Sequence, residues 1–254
     1  MATTSSTQEA NNSRFNAEAA EWDNNKKHVE SCQKAFEAIQ SYVPAFADGT
    51  SKNLDVLEIG CGTGLLSFQL APHIRSLVGV DTSTGMLDAF NQKIAALPDT
   101  TPANLAAVNV LVQDADDVHI QGAAAALATR RGESGHDLPY RFDLIVSHLT
   151  LHHIPSLPSI IETMYKCLRP GGWIALTDYE DFGAEAIRFH PVDKREGVER
   201  HGVKKAEIEE VVDGVGFNEV RVERAWVMRK EVDAEEGKPK EEMDFPFFIV
   251  LGKR

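Results

Sequence analysis

The stretch LDVLEIGCGTGLLSFQLAPHIRSLVGVDTSTGMLDAF, Leu54 to Phe90, decides the fold. An apolar run enters Gly60, Gly62 and Gly64, a helical pattern follows, and a second apolar run ends on Asp81. Glycines that leave a strand and open a helix let the chain turn tightly and bring bare backbone to a ligand where a Cβ would collide. The dinucleotide fingerprint G-x-G-x-x-G needs its third glycine at position 65, which is leucine here, with the glycine one residue early. Glu58, two residues before the first glycine, argues against pyrophosphate as well, because a carboxylate repels phosphate and attracts an ammonium or sulfonium.

Outward from this stretch, apolar runs and helical patterns alternate, the signature of a parallel sheet with crossover helices. Strands are predicted at 55–60, 76–81, 108–114, 142–148 and 173–178, and helices near 64–72, 84–97 and 156–169, the last stopped by Pro170 and the glycines after it. Two later strand-like runs, VRVERAWVMRK and MDFPFFIVLGK, flank the charged EVDAEEGKPKE and predict an antiparallel hairpin at one sheet edge. The fold class is therefore α/β: a doubly wound, seven-stranded, mostly parallel Rossmann-like sheet with an antiparallel C-terminal hairpin strand. The long segment 121–140 predicts an extra alanine-rich helix and an exposed loop.

Composition sets the boundaries and the partners. Residues 1–13 are rich in Ser, Thr, Asn and Gln and predict a disordered tail before a single domain over 14–254. Within it, 14–48 predicts a helical cover: Val29, Cys32, Phe36, Ile39 and Val43 share one face, while Phe15 and Trp22 either fold over a ligand or pack in the core. Residues 179–203 carry aromatics and histidines without a clean period and predict a lid. With 26 Lys+Arg against 39 Asp+Glu, the net charge of -13 and the lack of a basic patch exclude nucleic acid as a partner. Cys32, Cys61 and Cys167 form no ligand-spaced pair, so neither disulfides nor structural zinc are expected. Without a signal peptide or about 18 consecutive apolar residues, the expected place is the cytoplasm, with nuclear entry left open and no stable membrane insertion.

Asp81 ends the second predicted strand about twenty residues past the glycines, where a carboxylate accepts both hydroxyls of a ribose. Asp114 either accepts from an exocyclic amine such as adenine presents or caps the next helix. A ribose, an adenine and a cationic amino acid together describe S-adenosyl-L-methionine.

The motifs VLEIGCGTG, GVDTSTGML, QDADD, FDLIVSHLTLHHI and LRPGGWIALTD resemble, in order and spacing over about residues 14–228, the class I S-adenosylmethionine-dependent methyltransferases, and among them the small-molecule ubiquinone/menaquinone-type branch. The resemblance implies that Glu58, Gly60, Cys61, Gly62, Thr63 and Gly64 surround the methionine part, that Asp81 and Thr82 hold the ribose, and that Met86 packs on the adenine. It places Asp114 and Ala115 at the adenine amine and Ser147 and His148 beneath the methyl donor, with Trp22 added from the cover. Met86, at helical spacing from Phe90, also reads as plain core, and Cys61 as a small side chain with no activating base nearby.

Methyl transfer from a sulfonium is an in-line displacement, so the enzyme has mainly to align the nucleophile and exclude water. A general base helps when the acceptor is a hydroxyl or a protonated amine, and histidine is the commonest choice. His153, at the end of HLTLHHI, is the first substrate-side candidate, although it or His152 could instead bond backbone at a helix start. His190, His201 and Tyr179 are further candidates, and Asp178 either faces the acceptor or caps the strand. The histidines lack the helical spacing with carboxylates of a dedicated metal motif, so no metal is expected. The expected partner is a small-molecule methyl acceptor, with a protein methyltransferase or a methyltransferase-like partner subunit as the alternative.

Overall fold

The computed structural model describes residues 6–98, 104–133, 139–235 and 237–254. The chain begins with helices α1 (Ser6–Glu18), α2 (Lys26–Tyr42) and α3 (Pro44–Ala47). It then alternates β1 (Asp55–Ile59), α4 (Leu65–Leu70), β2 (Ser76–Asp81), α5 (Thr84–Ala95), β3 (Leu105–Asn109), α6 (Val118–Arg130), β4 (Phe142–His148), α7 (Leu157–Cys167) and β5 (Leu168–Tyr179). Helix α8 (Lys205–Val215) leads to β6 (Asn218–Val232) and β7 (Glu241–Lys253). The strands form one seven-stranded sheet in the order β3-β2-β1-β4-β5-β7-β6, with β7 antiparallel to both its neighbours and the rest parallel. The predicted fold class holds, and the strand order reverses beside β1, where open α/β sheets place their ligands.

Alternate residues of the central strands serve two apolar layers. Leu57, Val78, Ile145 and Ile174 point to the layer of α6, α7 and α8, and Val56, Leu77, Leu144 and Ala175 to that of α2, α4 and α5. A sheet covered on both faces needs such continuous apolar runs. The helices start where side chains accept orphan amides: Ser83 from Met86 N–H, Asp117 from His119 and Ile120 N–H, and Ser156 from Ser159 N–H.

Four details correct the sequence reading. Strand β3 ends at Asn109 instead of running to 114; Val110 N–H turns onto the Asp81 carbonyl, and the chain leaves the ladder there. Helix α8 stands between the fifth strand and the hairpin, where no helix was placed. The buried face of α2 consists of Ser31, Ala35, Ala38 and Ile39 while Val29 is exposed, because the Ser31 hydroxyl turns inward to His148. The expected disordered tail is helical from Ser6, and residues 1–5 lie outside the described residues.

Helix α1 has almost no apolar face. It is docked by amide side chains: Asn12 accepts from the Thr82 hydroxyl, Asn16 accepts from Ser83 Oγ and Gly85 N–H, and Asn11 donates to the Gly197 carbonyl. A Cβ on Gly85 would lie 3.0 Å from Asn16 Cα, so that glycine permits the close approach. The alanine-rich α6 appears as predicted, and the loop expected after it falls partly on residues 134–138, outside the described residues. Among the described residues, no helix is long and apolar enough to cross a membrane.

Candidate active site

A cavity of about 800 Å³ lies at the carboxyl ends of β1, β2 and β4. Residues of α1 and the 3-10 turn Ala19–Asn24 line it, as do Phe189, His190, Pro191 and Lys194 from the segment after β5. The two segments bond each other: Arg14 donates to the Lys194 carbonyl at 2.6 Å, and Lys194 pairs with Glu18 at 2.7 Å.

At one end stands the glycine loop. Gly60 and Cys61 N–H both donate to the Val80 carbonyl, fastening the loop to β2. At Gly60 a Cβ would fall 2.2 Å from Thr150 Oγ1, and at Gly64 2.5 Å from the Phe90 ring, so both are glycines for packing as well as for positive φ. Gly62 differs. Its φ is +52° and, among the described residues other than its chain neighbours, no atom lies within 4 Å of where a Cβ would stand, leaving bare backbone open beside the cavity it lines.

The Asp81 carboxylate accepts from Gly62 N–H at 2.9 Å and from Ser83 N–H at 2.8 Å, which fixes the side chain and leaves lone pairs for a ligand. Glu58 is buried and accepts from the Ser67 hydroxyl. Burial, opposed by that hydrogen bond and reinforced by the Asp81 charge, pushes its carboxyl up to about 8. Met86, 2% exposed, lines the same end. Thr63 donates to Asp23 at 2.5 Å, tying the loop to the N-terminal cover, and Asp23 also pairs with Lys93. Trp22 lines the cavity and lies on the His28 ring at 3.9 Å. Cys61 packs beside Gly79, and burial pushes its thiol well up, which makes it a poor nucleophile.

The other end is built from histidines. His148 is held at both nitrogens, 2.9 Å from Ser31 Oγ and 2.9 Å from Thr177 Oγ1, and burial pushes its imidazole down to about 4. His152 is 1% and Asp178 0% exposed; the Asp178 carboxylate accepts from His152 Nδ1 at 2.8 Å and from its backbone N–H at 3.2 Å. Because a carboxylate only accepts, Nδ1 carries a hydrogen, and the buried Nε2 has no hydrogen-bond partner among the described residues. The buried Nδ1 of His153 likewise has no hydrogen-bond partner among the described residues. His190 lies 3.5 Å through Nδ1 from the Tyr179 hydroxyl. Burial, with His152 beside them, holds both His153 and His190 well below the usual imidazole range.

Several expected site residues stand elsewhere. Asp114 and Ala115 lie outside the cavity lining, which stops at Gln113: with β3 ending early, Asp114 is exposed and folds onto Asp116 N–H at 2.9 Å. Ser147 is a latch between strands, donating to the Ile59 carbonyl at 2.8 Å. Tyr179 is fully buried, stacked on Phe189 at 4.1 Å, and supports His190 from behind. His201 does not reach the cavity. The fold also brings three histidines together: one donor atom each from His152, His153 and His190 lie within 4.8 Å of one another. Their convergence is tertiary, so no spacing rule along one helix reveals it.

Spacing along the chain does not join His152 to Asp178. The β4–β5 register, His148 opposite Thr177, sets Asp178 beside the turn leaving β4, and Leu149 at φ +52° folds that turn back. Unforeseen as well are four cations lining the cavity of this acidic chain: Arg14, Lys27, Lys194 and Lys230. Burial and the nearby Lys194 and Lys27 push Lys230 down to about 8, and its ammonium donates to the Phe189 carbonyl.

The chain matches the methyltransferase-domain family over residues 32–222. It is 28% identical over 152 residues to an uncharacterized methyltransferase of Schizosaccharomyces pombe, covering 59% of this chain and 48% of that protein. It is 29% identical over 134 residues to the ubiquinone biosynthesis O-methyltransferase of Paraburkholderia xenovorans, covering 53% and 47%. The chain thus spans about half the length of these curated relatives. Its fold matches the N-methyltransferase NodS of Bradyrhizobium japonicum, solved with S-adenosyl-L-homocysteine, at a TM-score of 0.57 and 16% identity over 98% of this chain and 99% of that one. With its family match covering more than half of its length, the chain belongs to the methyltransferase-domain family.

Proposed function

We propose that the chain transfers the methyl group of S-adenosylmethionine to a small molecule that carries an anionic group, with the nucleophile received at the histidines. One observation carries this reading: a single cavity runs from Glu58, Gly62 and Asp81 to His152, His153 and His190, and the chain's own segments cover it. The cofactor end fits its ligand. Open backbone at Gly62 cradles the methionine part, Glu58 faces its ammonium, Asp81 takes the ribose hydroxyls, and Met86 and Leu111 flank the adenine. When bound, the cofactor supplies an electrophilic methyl on a sulfonium.

The protein's remaining work is alignment and exclusion of water. His152 presents a lone pair fixed by Asp178, and His148, tied at both nitrogens, is a rigid neutral floor. Lys230 offers charge for a carboxylate or phosphate on the acceptor, whereas Lys194 is already paired with Glu18. A protein acceptor would have to open the bonded cover, so the closure favours a small molecule.

The test is incubation of the purified chain with a cell extract and methyl-labelled cofactor. Labelled small acids are expected by mass spectrometry; label confined to protein bands would favour the protein-acceptor reading instead.

A further inference from the structure

We propose that His152, His153 and His190 form a three-nitrogen site for one divalent transition-metal ion, with its fourth position open to the acceptor end of the cavity. The proposal rests on the reading that the acceptor lies at this end, and it states how the acceptor is held there. Three observations meet. One donor atom from each ring lies within 4.8 Å of the others. Two buried ring nitrogens, His152 Nε2 and His153 Nδ1, have no hydrogen-bond partner among the described residues, although buried polar atoms are nearly always satisfied. Two of the rings are also held from behind: His152 by Asp178 at 2.8 Å, and His190 beside the Tyr179 hydroxyl at 3.5 Å.

That arrangement is what a metal site requires. A ligating imidazole ordinarily gives its other N–H to a carboxylate or carbonyl, which fixes the tautomer and aims the lone pair. Zinc–nitrogen bonds of about 2.0–2.1 Å put tetrahedral ligand atoms roughly 3.4 Å apart, so the rings need draw together by little more than 1 Å. Three imidazoles suit Zn²⁺, Co²⁺ or Ni²⁺, and three protein ligands with an open position characterise reactive rather than structural sites. All three residues line the cavity, so an oxygen, nitrogen or sulfur donor of the acceptor can take the fourth position.

The test uses the untagged full chain, stripped with a chelator and titrated with ZnCl₂ by calorimetry and with CoCl₂ by absorption spectroscopy. The expected result is one equivalent bound, with the visible bands of tetrahedral cobalt. His190→Ala should lose the site, and Asp178→Asn should weaken it about 10- to 100-fold, the usual cost of removing a carboxylate behind a ligating histidine. Binding of S-adenosylhomocysteine is followed in the same samples. Retained S-adenosylhomocysteine binding with no stoichiometric metal, or metal binding indifferent to His190→Ala, would overturn the metal site while leaving the methyltransferase reading intact. Loss of S-adenosylhomocysteine binding by the folded wild-type chain would count instead against the assigned cofactor end.

Discussion

His152 donates through Nδ1 to Asp178 at 2.8 Å, and both side chains are closed to solvent. The contact joins the turn after β4 to the end of β5 and leaves one lone pair, on Nε2, for the cavity. Asp178→Asn keeps the shape but allows the other tautomer. Turnover should fall at least about 10-fold as the Nε2 lone pair loses its fixed direction, while S-adenosylhomocysteine affinity stays unchanged. Equal turnover in a folded variant would remove the pair from the chemistry.

Glu58 predicts a proton released on cofactor binding. Its carboxyl is raised to about 8 by burial, so it holds a proton at pH 7, and a ligand ammonium beside it favours the ionised form. Calorimetry in buffers of different ionisation enthalpy should show close to one proton released near pH 7 and little above about pH 9, with affinity rising in between. Folding gives the matching sign. Unfolded, the group titrates near 4.5, so its contribution to stability is full below that pH and is lost as pH climbs toward 8. Glu58→Gln should flatten both dependences.

Gly64→Ala tests the packing of the loop. The new methyl meets the Phe90 ring 2.5 Å away at a backbone φ of +85°. Strain and overpacking together should cost about 2–4 kcal/mol in urea denaturation. Alanine at Gly122, where no described residue outside its own helix comes within 4 Å, should cost far less.

Truncation tests the cover. Removing residues 1–24 deletes the Asp23 partner of Thr63 and the amide contacts of α1, and should weaken S-adenosylhomocysteine binding at least tenfold, about 1.4 kcal/mol. Wild-type affinity in that truncation would make the segment packing alone.

The sheet and the build of the glycine loop with Asp81 were legible because local rules govern them: strand runs, positive-φ glycines and a strand-end carboxylate act within about thirty residues of chain. The docking of α1 was not. Asn12 and Asn16 hold it through amide bonds to Thr82, Ser83 and Gly85, and an amide-rich segment has the same composition as a disordered one. Asp114 went astray for a related reason, since its position depended on β3 continuing five residues further than its ladder does. The histidine end is tertiary throughout, with Asp178 meeting His152 only through the β4–β5 register.

The central claim is that Asp81 and the open backbone at Gly62 hold S-adenosylmethionine and its demethylated product in this cavity. Titration calorimetry of S-adenosylhomocysteine into wild type and Asp81→Ala, with folding of both followed by thermal melting, tests it most directly. One site per chain is predicted for wild type, weakened by about 1.5–3 kcal/mol in the variant, the range for hydrogen bonds to a charged group. No binding by folded wild type, or the same dissociation constant in folded Asp81→Ala, would contradict the account.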